Sequence, residues 1–393
     1  MKSLWQPTLL AVLLTVTGCA TTPKHQVVVT GNIMVDAPNA IANGPPRDRV
    51  LWEYRLAAGE MRQGQFDAAK KNLDDALLTL GGIYGKDPNA KQARSYFHAE
   101  AKKTFIGEPY ERSMAFIYRG ILYWMDGELD NARACFRSAE FEDSDAQNHE
   151  YSGDWVLPEY LDGLATTKLH GDGADAFKRA QAVAKGIKLP PYRAEANALF
   201  FIEFGPGPTK FEGGQYGEEL HFYTAPSPVG SAALNVDAFQ IPIAPTDDVG
   251  FQAMTRGGRV MDHILGNKAV FKSTTDTVGN VALIGGLTTA AVSRDRTAQE
   301  VGLGIAFAGL ISKVISSATV PAADIRSWDN LPRYLSFVSL PLPVGQHVAT
   351  IQFLDPSGRA IPNLTKTITI NITTADHDKV VFVSDTSLTP QTL

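Results

Sequence analysis

The sequence predicts a multidomain α+β protein with a helical region first and a β-rich region second. Residues 47–197 are rich in Ala, Leu, Glu, Lys and Arg, and their apolar residues recur at helical spacings of three and four. Residues 198–393 change to short β-branched and aromatic runs separated by Gly and Pro. Within the second region, residues 281–316 form a Gly- and Ala-rich apolar stretch, which predicts an inserted helical hairpin. A chain of 393 residues is long enough for two or three such domains.

The first 18 residues have the composition of a secretory signal peptide. Lys2 precedes an apolar run over 9–16, and small residues follow immediately before Cys19. The segment Val16-Thr17-Gly18-Cys19 resembles a bacterial lipobox, in which the Cys thiol is acylated and becomes the new N-terminus. The alternative is an ordinary cleaved signal with a Cys there by chance. The resemblance implies a lipid anchor (diacylglycerol and palmitate) on Cys19 and no transmembrane helix at this point.

The residues after Cys19 predict a location and a tether. Ala20, rather than Asp, follows the cysteine, and the lipobox resemblance then implies the outer membrane, with the chain facing the periplasm. Residues 19–46 contain Thr-Thr-Pro and Asn-Gly-Pro-Pro runs, which are loop compositions. We therefore expect an acylated linker between the lipid and the first folded domain.

An internal repeat lies within the helical region. Gly64 precedes Phe66 as Gly127 precedes Leu129, and in both units Ala follows three residues later. A large apolar residue comes four further on, and a second Ala three after that. Small residues at these positions allow two helices to approach closely. The units resemble the second half of a tetratricopeptide repeat (TPR), which predicts a TPR-like helical array over 47–197. A plain helical bundle with coincidental Ala spacing is the alternative.

The β-rich region contains several predicted strands. A strong turn at Asp355-Pro356-Ser357-Gly358 separates two of them, and the last four suggest a small antiparallel sandwich. The predicted strands are 199–204, 220–224, 238–243, 270–274, 335–340, 348–354, 365–372 and 380–384.

The predicted hairpin has two interpretations. Its two apolar segments, 281–292 and 301–314, are each too short to span a bilayer, which takes about 20 residues. Glycines such as Gly302 and Gly309 would let two helices pack closely, either in a membrane-inserting or self-assembling device or in an ordinary buried hairpin. We favour the buried hairpin, because glycine destabilises exposed helices.

Composition excludes some classes of function. The net charge of −6 and the absence of a basic block argue against nucleic acid as a partner. With Cys19 acylated, Cys135 has no disulfide partner, and its apolar neighbours predict an inert buried thiol. We find no catalytic motif and no spacing typical of a metal site, so the sequence predicts neither an enzyme nor a cofactor.

One segment has the character of a binding loop. Glu108, Tyr110, Glu111 and Arg112 gather charge and aromatic surface at a predicted helix start, and Tyr123 lies further along that helix. We take these five residues as candidates for partner binding. The alternative is a helix start stabilised by Pro109 and by acidic residues at the positive end of the helix dipole.

The same segment carries a family resemblance. The pattern Phe105-x-Gly-Glu-Pro-Tyr-Glu-Arg-x-Met114, with Asp324-x-Arg-x-Trp-x-x-Leu-Pro332 further on, resembles an uncharacterised family of bacterial TPR-containing lipoproteins. Members of that family accompany lipoproteins that activate penicillin-binding proteins, which implies work in the cell envelope. The second pattern also fits a buried corner between the hairpin and the sandwich.

These observations predict an outer-membrane lipoprotein that acts as a protein–protein adaptor or scaffold, in cell-wall synthesis or an envelope assembly. Its partners would be envelope proteins bound by the helical array, since such arrays form extended binding surfaces. One alternative is an oligomeric, membrane-associated export or assembly component that uses the Gly-rich hairpin and self-associates. A less favoured alternative is an envelope hydrolase.

Overall fold

The computed structural model describes residues 29–84, 104–144, 153–184, 186–213, 219–256, 324–373, 377–387 and 391–392. In this part of the chain, seven α-helices come first and most strands follow, so the α+β class is confirmed. Cys19, the predicted hairpin 281–316 and the predicted strand 270–274 lie outside the described residues. The helices are α1 Ile33–Asn43, α2 Arg49–Arg62, α3 Phe66–Tyr84, α4 Pro109–Met125, α5 Leu129–Ser144, α6 Val156–Lys168, α7 Ala174–Val183 and, between two strands, α8 Val249–Arg256.

Helix α1 lies within the segment 19–46, for which the sequence predicts a linker, and 11 of the 28 residues of that segment form this folded helix. The Asn32 side chain accepts a hydrogen bond from the Met34 N–H and caps its start. Its inner side packs on α2 and includes the buried residues Ala37 and Ala40. Pro38 lies inside the helix and a Gly-Pro-Pro run follows it, so the composition has the character of a loop although the segment is helical.

Three helix–turn–helix pairs share one turn geometry. The pairs are α2–α3, α4–α5 and α6–α7. Each first helix is followed by one residue in the left-handed region, namely Gly64 (φ +71°), Gly127 (φ +76°) and His170 (φ +62°). Each turn therefore ends its helix as a Schellman motif does. The closing hydrogen bond repeats from Gln65 N–H to Glu60 O, from Glu128 N–H to Tyr123 O and from Gly171 N–H to Thr166 O.

The predicted Ala spacing corresponds to close helix packing in the first two pairs. Both Ala residues of each unit are completely buried, and so is the large apolar residue between them. A Cβ placed on Gly120 in α4 would lie 2.6 Å from the Phe136 ring of α5, so the two helices meet where no side chain fits. The buried residues concerned are Ala69, Leu73, Ala76, Ala132, Phe136 and Ala139.

The strands form three sheets in the described part of the chain. The first sheet has the order β11-β10-β1-β7-β6, the second has the order β5-β4-β8-β9, and β2 and β3 form a separate hairpin. The strands are β1 Ala198–Pro206, β2 Pro208–Gly213, β3 Glu219–Thr224, β4 Ser231–Val236, β5 Phe239–Ile243, β6 Asp247–Asp248, β7 Pro332–Leu340, β8 Gly345–Leu354, β9 Lys366–Ile372, β10 Lys379–Ser384 and β11 Gln391–Thr392.

The last four predicted strands do not form a unit of their own. Strands β7 and β10 belong to the first sheet, on either side of β1, whereas β8 and β9 belong to the second. Strand β10 runs parallel to β1, with Ala198 opposite Lys379. Two parallel strands cannot be joined directly by a hairpin. A long stretch of chain therefore connects β1 to β10.

The first sheet lies between two apolar layers. On one side, Leu199 and Phe201 belong to the cluster formed by the helices. On the other side, Phe200 and Ile202 share a cluster with Ile351 and other residues of the second sheet. The helices, the first sheet and the second sheet are thus three successive layers, and the helical and β-rich regions share one core.

Candidate functional site

A segment without helix or strand structure, residues 324–331, lies in a groove between α2 and α4 and turns at 329–330. Arg55 of α2 donates from Nη2 to the Ser327 carbonyl at 2.7 Å. Glu111 of α4 accepts the Trp328 N–H through Oε1 at 2.7 Å, and the Asn330 amide donates to the Arg55 carbonyl at 2.9 Å. The two helices therefore hydrogen-bond to the backbone of the segment and to the side chains of Asp329 and Asn330.

Trp328 is the apolar anchor of this segment. Its side chain is completely buried. The ring stacks on Tyr54 of α2 with centroids 4.6 Å apart, and the Tyr118 ring of α4 meets it at an angle of 72°. Aromatic pairs of this kind stabilise beyond the area they bury, by about 0.5–1.5 kcal/mol each.

A buried ion pair joins the groove to the β2–β3 hairpin. Lys210 of β2 donates from Nζ to Glu111 Oε2 at 2.6 Å, and it also donates to the Arg326 carbonyl. Both side chains are almost wholly buried. The same Glu111 oxygen accepts the Glu108 N–H and so closes the capping box of α4. One carboxylate thus binds α4, β2 and the segment 324–331 together.

A second buried charge ties α2 and α4 to the first sheet. Glu203 of β1 accepts from Arg62 Nε at 2.6 Å and from the Tyr118 hydroxyl at 2.5 Å. Burial and the neighbouring Glu203 carboxylate raise the pKa of Tyr118 well above its usual range, so the phenol keeps its proton. Asp378, the residue just before β10, accepts hydrogen bonds from Trp124 Nε1 and from Lys168 Nζ, each at 2.8 Å.

The structure places the five candidate partner-binding residues differently from the expectation. Tyr110, Glu111 and Arg112 are buried, because α4 packs against α5, β2 and the segment 324–331. Arg112 pairs with Glu142 of α5 at 2.5 Å. These three side chains hold the interior together and offer no surface to a partner in this structure.

The remaining two candidates are half-buried. Glu108 is the N-cap of α4, as the alternative interpretation of this segment proposed. Burial raises the pKa of Glu108 to about 7, in spite of nearby Lys210. Tyr123 lies under the Arg119 guanidinium, whose centre is 3.5 Å from the ring centroid.

The arrangement is suited to binding and positioning. Within the described residues, no group of His, Cys, Asp and Glu side chains is placed to hold a metal ion. Cys135 is buried, and burial raises the pKa of its thiol to about 12, which keeps it protonated and unreactive. By contrast, Arg55 and Glu111 direct a guanidinium and a carboxylate at the backbone of Ser327 and Trp328, which is how side chains hold a peptide segment.

The sequence pattern singled out residues of the segment 324–331 but did not predict that they pack against α2 and α4. Asp324, Arg326 and Trp328 stood out as a pattern, and a buried corner was one interpretation of it. Trp328 is indeed buried, but it packs against α2 and α4. Arg326 likewise pairs with Asp48, just before α2, at 2.7 Å. An isolated Trp among charged residues was the only signal of this contact.

Comparisons with protein-family models, with curated proteins and with solved structures give no match to this chain. Among the described helices, none is both long enough and apolar enough to cross a bilayer.

Proposed function

We propose that the protein is an outer-membrane lipoprotein, anchored through Cys19 and facing the periplasm, that acts as a protein–protein adaptor in the cell envelope. We further propose that its helix pairs are TPR-like units and that its two packed sheets form a sandwich. The equivalent turns at Gly64, Gly127 and His170 support the repeat, and the apolar cluster common to both sheets supports the sandwich.

The side of the helices that faces the strands is already occupied. Strands and the segment 324–331 contact α2, α4 and α6, which are the first helices of the three pairs. Arrays of helix pairs commonly bind partners through such a side. In this chain the protein's own β-rich region takes that place, so a partner has to bind the second helices, α3, α5 and α7.

The observation that carries the proposal is the exposure of two large apolar side chains on these second helices. Leu78 of α3 is 78% exposed and Phe141 of α5 is 68% exposed. In the same helices, Leu73 and Leu80 of α3 and Phe136 of α5 are buried. Aromatic side chains such as Phe141 are enriched in protein interfaces, and Leu78 adds apolar surface that binding would remove from water.

Variants at these two positions test the proposal in the full chain. The helical region cannot be tested alone, because its core continues into β1. Full-length protein is crosslinked in living cells and purified, and co-purifying envelope proteins are compared between the parent, Leu78→Arg and Phe141→Arg. We expect a reproducible partner that both variants lose.

Thr79→Arg is the matched control, since Thr79 is an exposed neighbour of Leu78 on the same helix. The proposal predicts that Thr79→Arg keeps the partner. A partner retained by all three variants, or no partner in the parent, would refute the assignment of this surface.

A further inference from the structure

The second sheet presents a solvent face without a single charged side chain. In its four strands, alternate residues point away from the core, as the registers between β5, β4, β8 and β9 require. Lys366 and His347, the ionisable residues of these strands, lie on the inner face instead. The outward residues, which we call the uncharged face, are Ser231, Ala233, Asn235, Gln240, Pro242, Gln346, Val348, Thr350, Gln352, Leu354, Thr367, Thr369 and Asn371.

The absence of charge on this face differs from the chain as a whole, in which 20% of residues are charged. Charged residues next to the uncharged face occur at the β4–β5 turn and after β8, and both are paired. Asp237 contacts His347 at 2.5 Å, and Asp355 pairs with Arg359 at 3.0 Å. The face itself offers carboxamides and hydroxyls, which both donate and accept hydrogen bonds.

We propose that the uncharged face binds an uncharged, hydroxyl-rich polysaccharide strand. The amides of Asn235, Gln352 and Asn371 supply paired donors and acceptors for sugar hydroxyl and acetamido groups. Val348, which is 55% exposed, supplies apolar contact for the face of a sugar ring. This site is separate from the proposed partner surface on α3 and α5, so either assignment can fail without the other.

Size and charge favour this occupant over others. Four strands and about five residues of each give a flat area of roughly 15 Å by 20 Å, or about 300 Å². A stable protein interface needs about 800 Å² on each partner, so the face is small for a second copy of the chain. Nucleic acid would require cationic side chains, and a lipid surface would require more exposed large apolar side chains than Val348, Pro242 and the half-buried Leu354.

The test uses the full-length lipoprotein in detergent micelles. Binding is measured by co-sedimentation with insoluble chitin and by titration with the N-acetylglucosamine hexamer, both of which are uncharged. We expect saturable binding to at least one glycan. The affinity should be the same at low and at high salt, because no charge takes part.

Two variants of the uncharged face should weaken this binding about tenfold or more, since each lost or blocked contact is worth about one hydrogen bond. They are the triple variant Asn235→Ala, Gln352→Ala, Asn371→Ala and the single variant Val348→Glu. The controls are Asn363→Ala, at an exposed amide outside the face, and Val35→Glu, at a valine of α1 with nearly the same exposure, 54%. Thermal unfolding confirms that all variants are folded.

Four results would overturn the proposal: no binding of the parent to any of these glycans, equal binding by the face variants and the controls, binding that weakens as salt rises, or self-association through Val348 in place of glycan binding.

Discussion

Glu111 and Lys210 form an ion pair of 2.6 Å between α4 and β2, with both side chains almost completely removed from water. Each also hydrogen-bonds to the segment 324–331, Glu111 to the Trp328 N–H and Lys210 to the Arg326 carbonyl. Taking two charges out of water is costly, and the cost is offset only when every partner is present. The position of the segment 324–331 therefore depends on both the helical and the β-rich region.

Removing either partner of this pair should destabilise the protein strongly. Glu111→Gln and Lys210→Met should each lower the free energy of unfolding by about 3–5 kcal/mol, because each leaves a buried charge uncompensated. The double variant should lose less than the sum. Urea unfolding followed by circular dichroism measures all three, and strictly additive losses would contradict the pairing. Lys178→Met, at an exposed pair with Asp175, should change little.

Trp328 should be the residue on which the bound segment most depends. Trp328→Ala should lower the free energy of unfolding by about 3–5 kcal/mol, the range for a large buried aromatic. The environment of Tyr54 should change with it, since the two rings stack. Near-ultraviolet circular dichroism and urea unfolding report both effects. Trp52→Ala is the comparison, because the Trp52 ring is only partly buried beside Arg55; an equal loss there would contradict the anchoring role.

The three equivalent turns predict effects of opposite sign. Gly64→Ala and Gly127→Ala should each cost about 1 kcal/mol or more, because a side chain disfavours the left-handed backbone. His170→Gly should stabilise by a comparable amount, since His170 holds that conformation with a side chain. Gly81→Ala, in the interior of α3 with open space at its Cβ, should also stabilise. Thermal unfolding ranks the four, and a loss at His170→Gly would contradict the equivalence.

Glu140 should make stability depend on pH. Burial, followed by the nearby Glu159 and Asp162 carboxylates, raises the pKa of Glu140 to about 8, against the opposing effects of Arg179 and Arg137. Between its ordinary value and about pH 8, the folded state holds a proton that the unfolded state lacks. The free energy of unfolding therefore falls as pH rises through this window.

Glu140→Gln should remove that contribution. The stability advantage of the variant over the parent should grow as pH rises toward about 8 and then level off. Urea unfolding at a series of pH values measures it. A constant difference between the two proteins across the window would show that Glu140 is ionised in the folded state. Glu128→Gln, at an exposed carboxyl before α5, serves as the control.

Local signals in the sequence predicted local structure well. The Gly64 and Gly127 turns and the Ala spacing after them depend on neighbours within a few residues, and the structure contains both features. Most predicted strands also occur, with ends displaced by a few residues. Among the longer strands, β2 and β4 were missed. Strand β2 begins at Pro208, after a Gly-Pro-Gly run typical of a turn, and the small and polar residues of β4, such as Ala233 and Asn235, have little of the usual strand composition.

Contacts between residues far apart in the sequence could not be predicted from local sequence patterns. Nothing local to Lys210 indicates a partner almost 100 residues earlier, and the burial of Glu111 follows only from that contact. A charged residue is normally expected at the surface, so the segment around Glu111 was interpreted as a binding loop. Parallel pairing of β1 with β10 escaped for the same reason, since the two strands lie at opposite ends of the β-rich region.

The proposed adaptor function depends on the side of α3 and α5 where Leu78 and Phe141 are exposed. A photo-crosslinking amino acid placed at either position in living cells tests it most directly, with Thr79 as the reference position on the same surface. We predict one envelope protein crosslinked from Leu78 and Phe141, at the same apparent mass and in preference to Thr79. Equal capture from all three positions, or crosslinks to different proteins, would contradict a defined partner surface on α3 and α5.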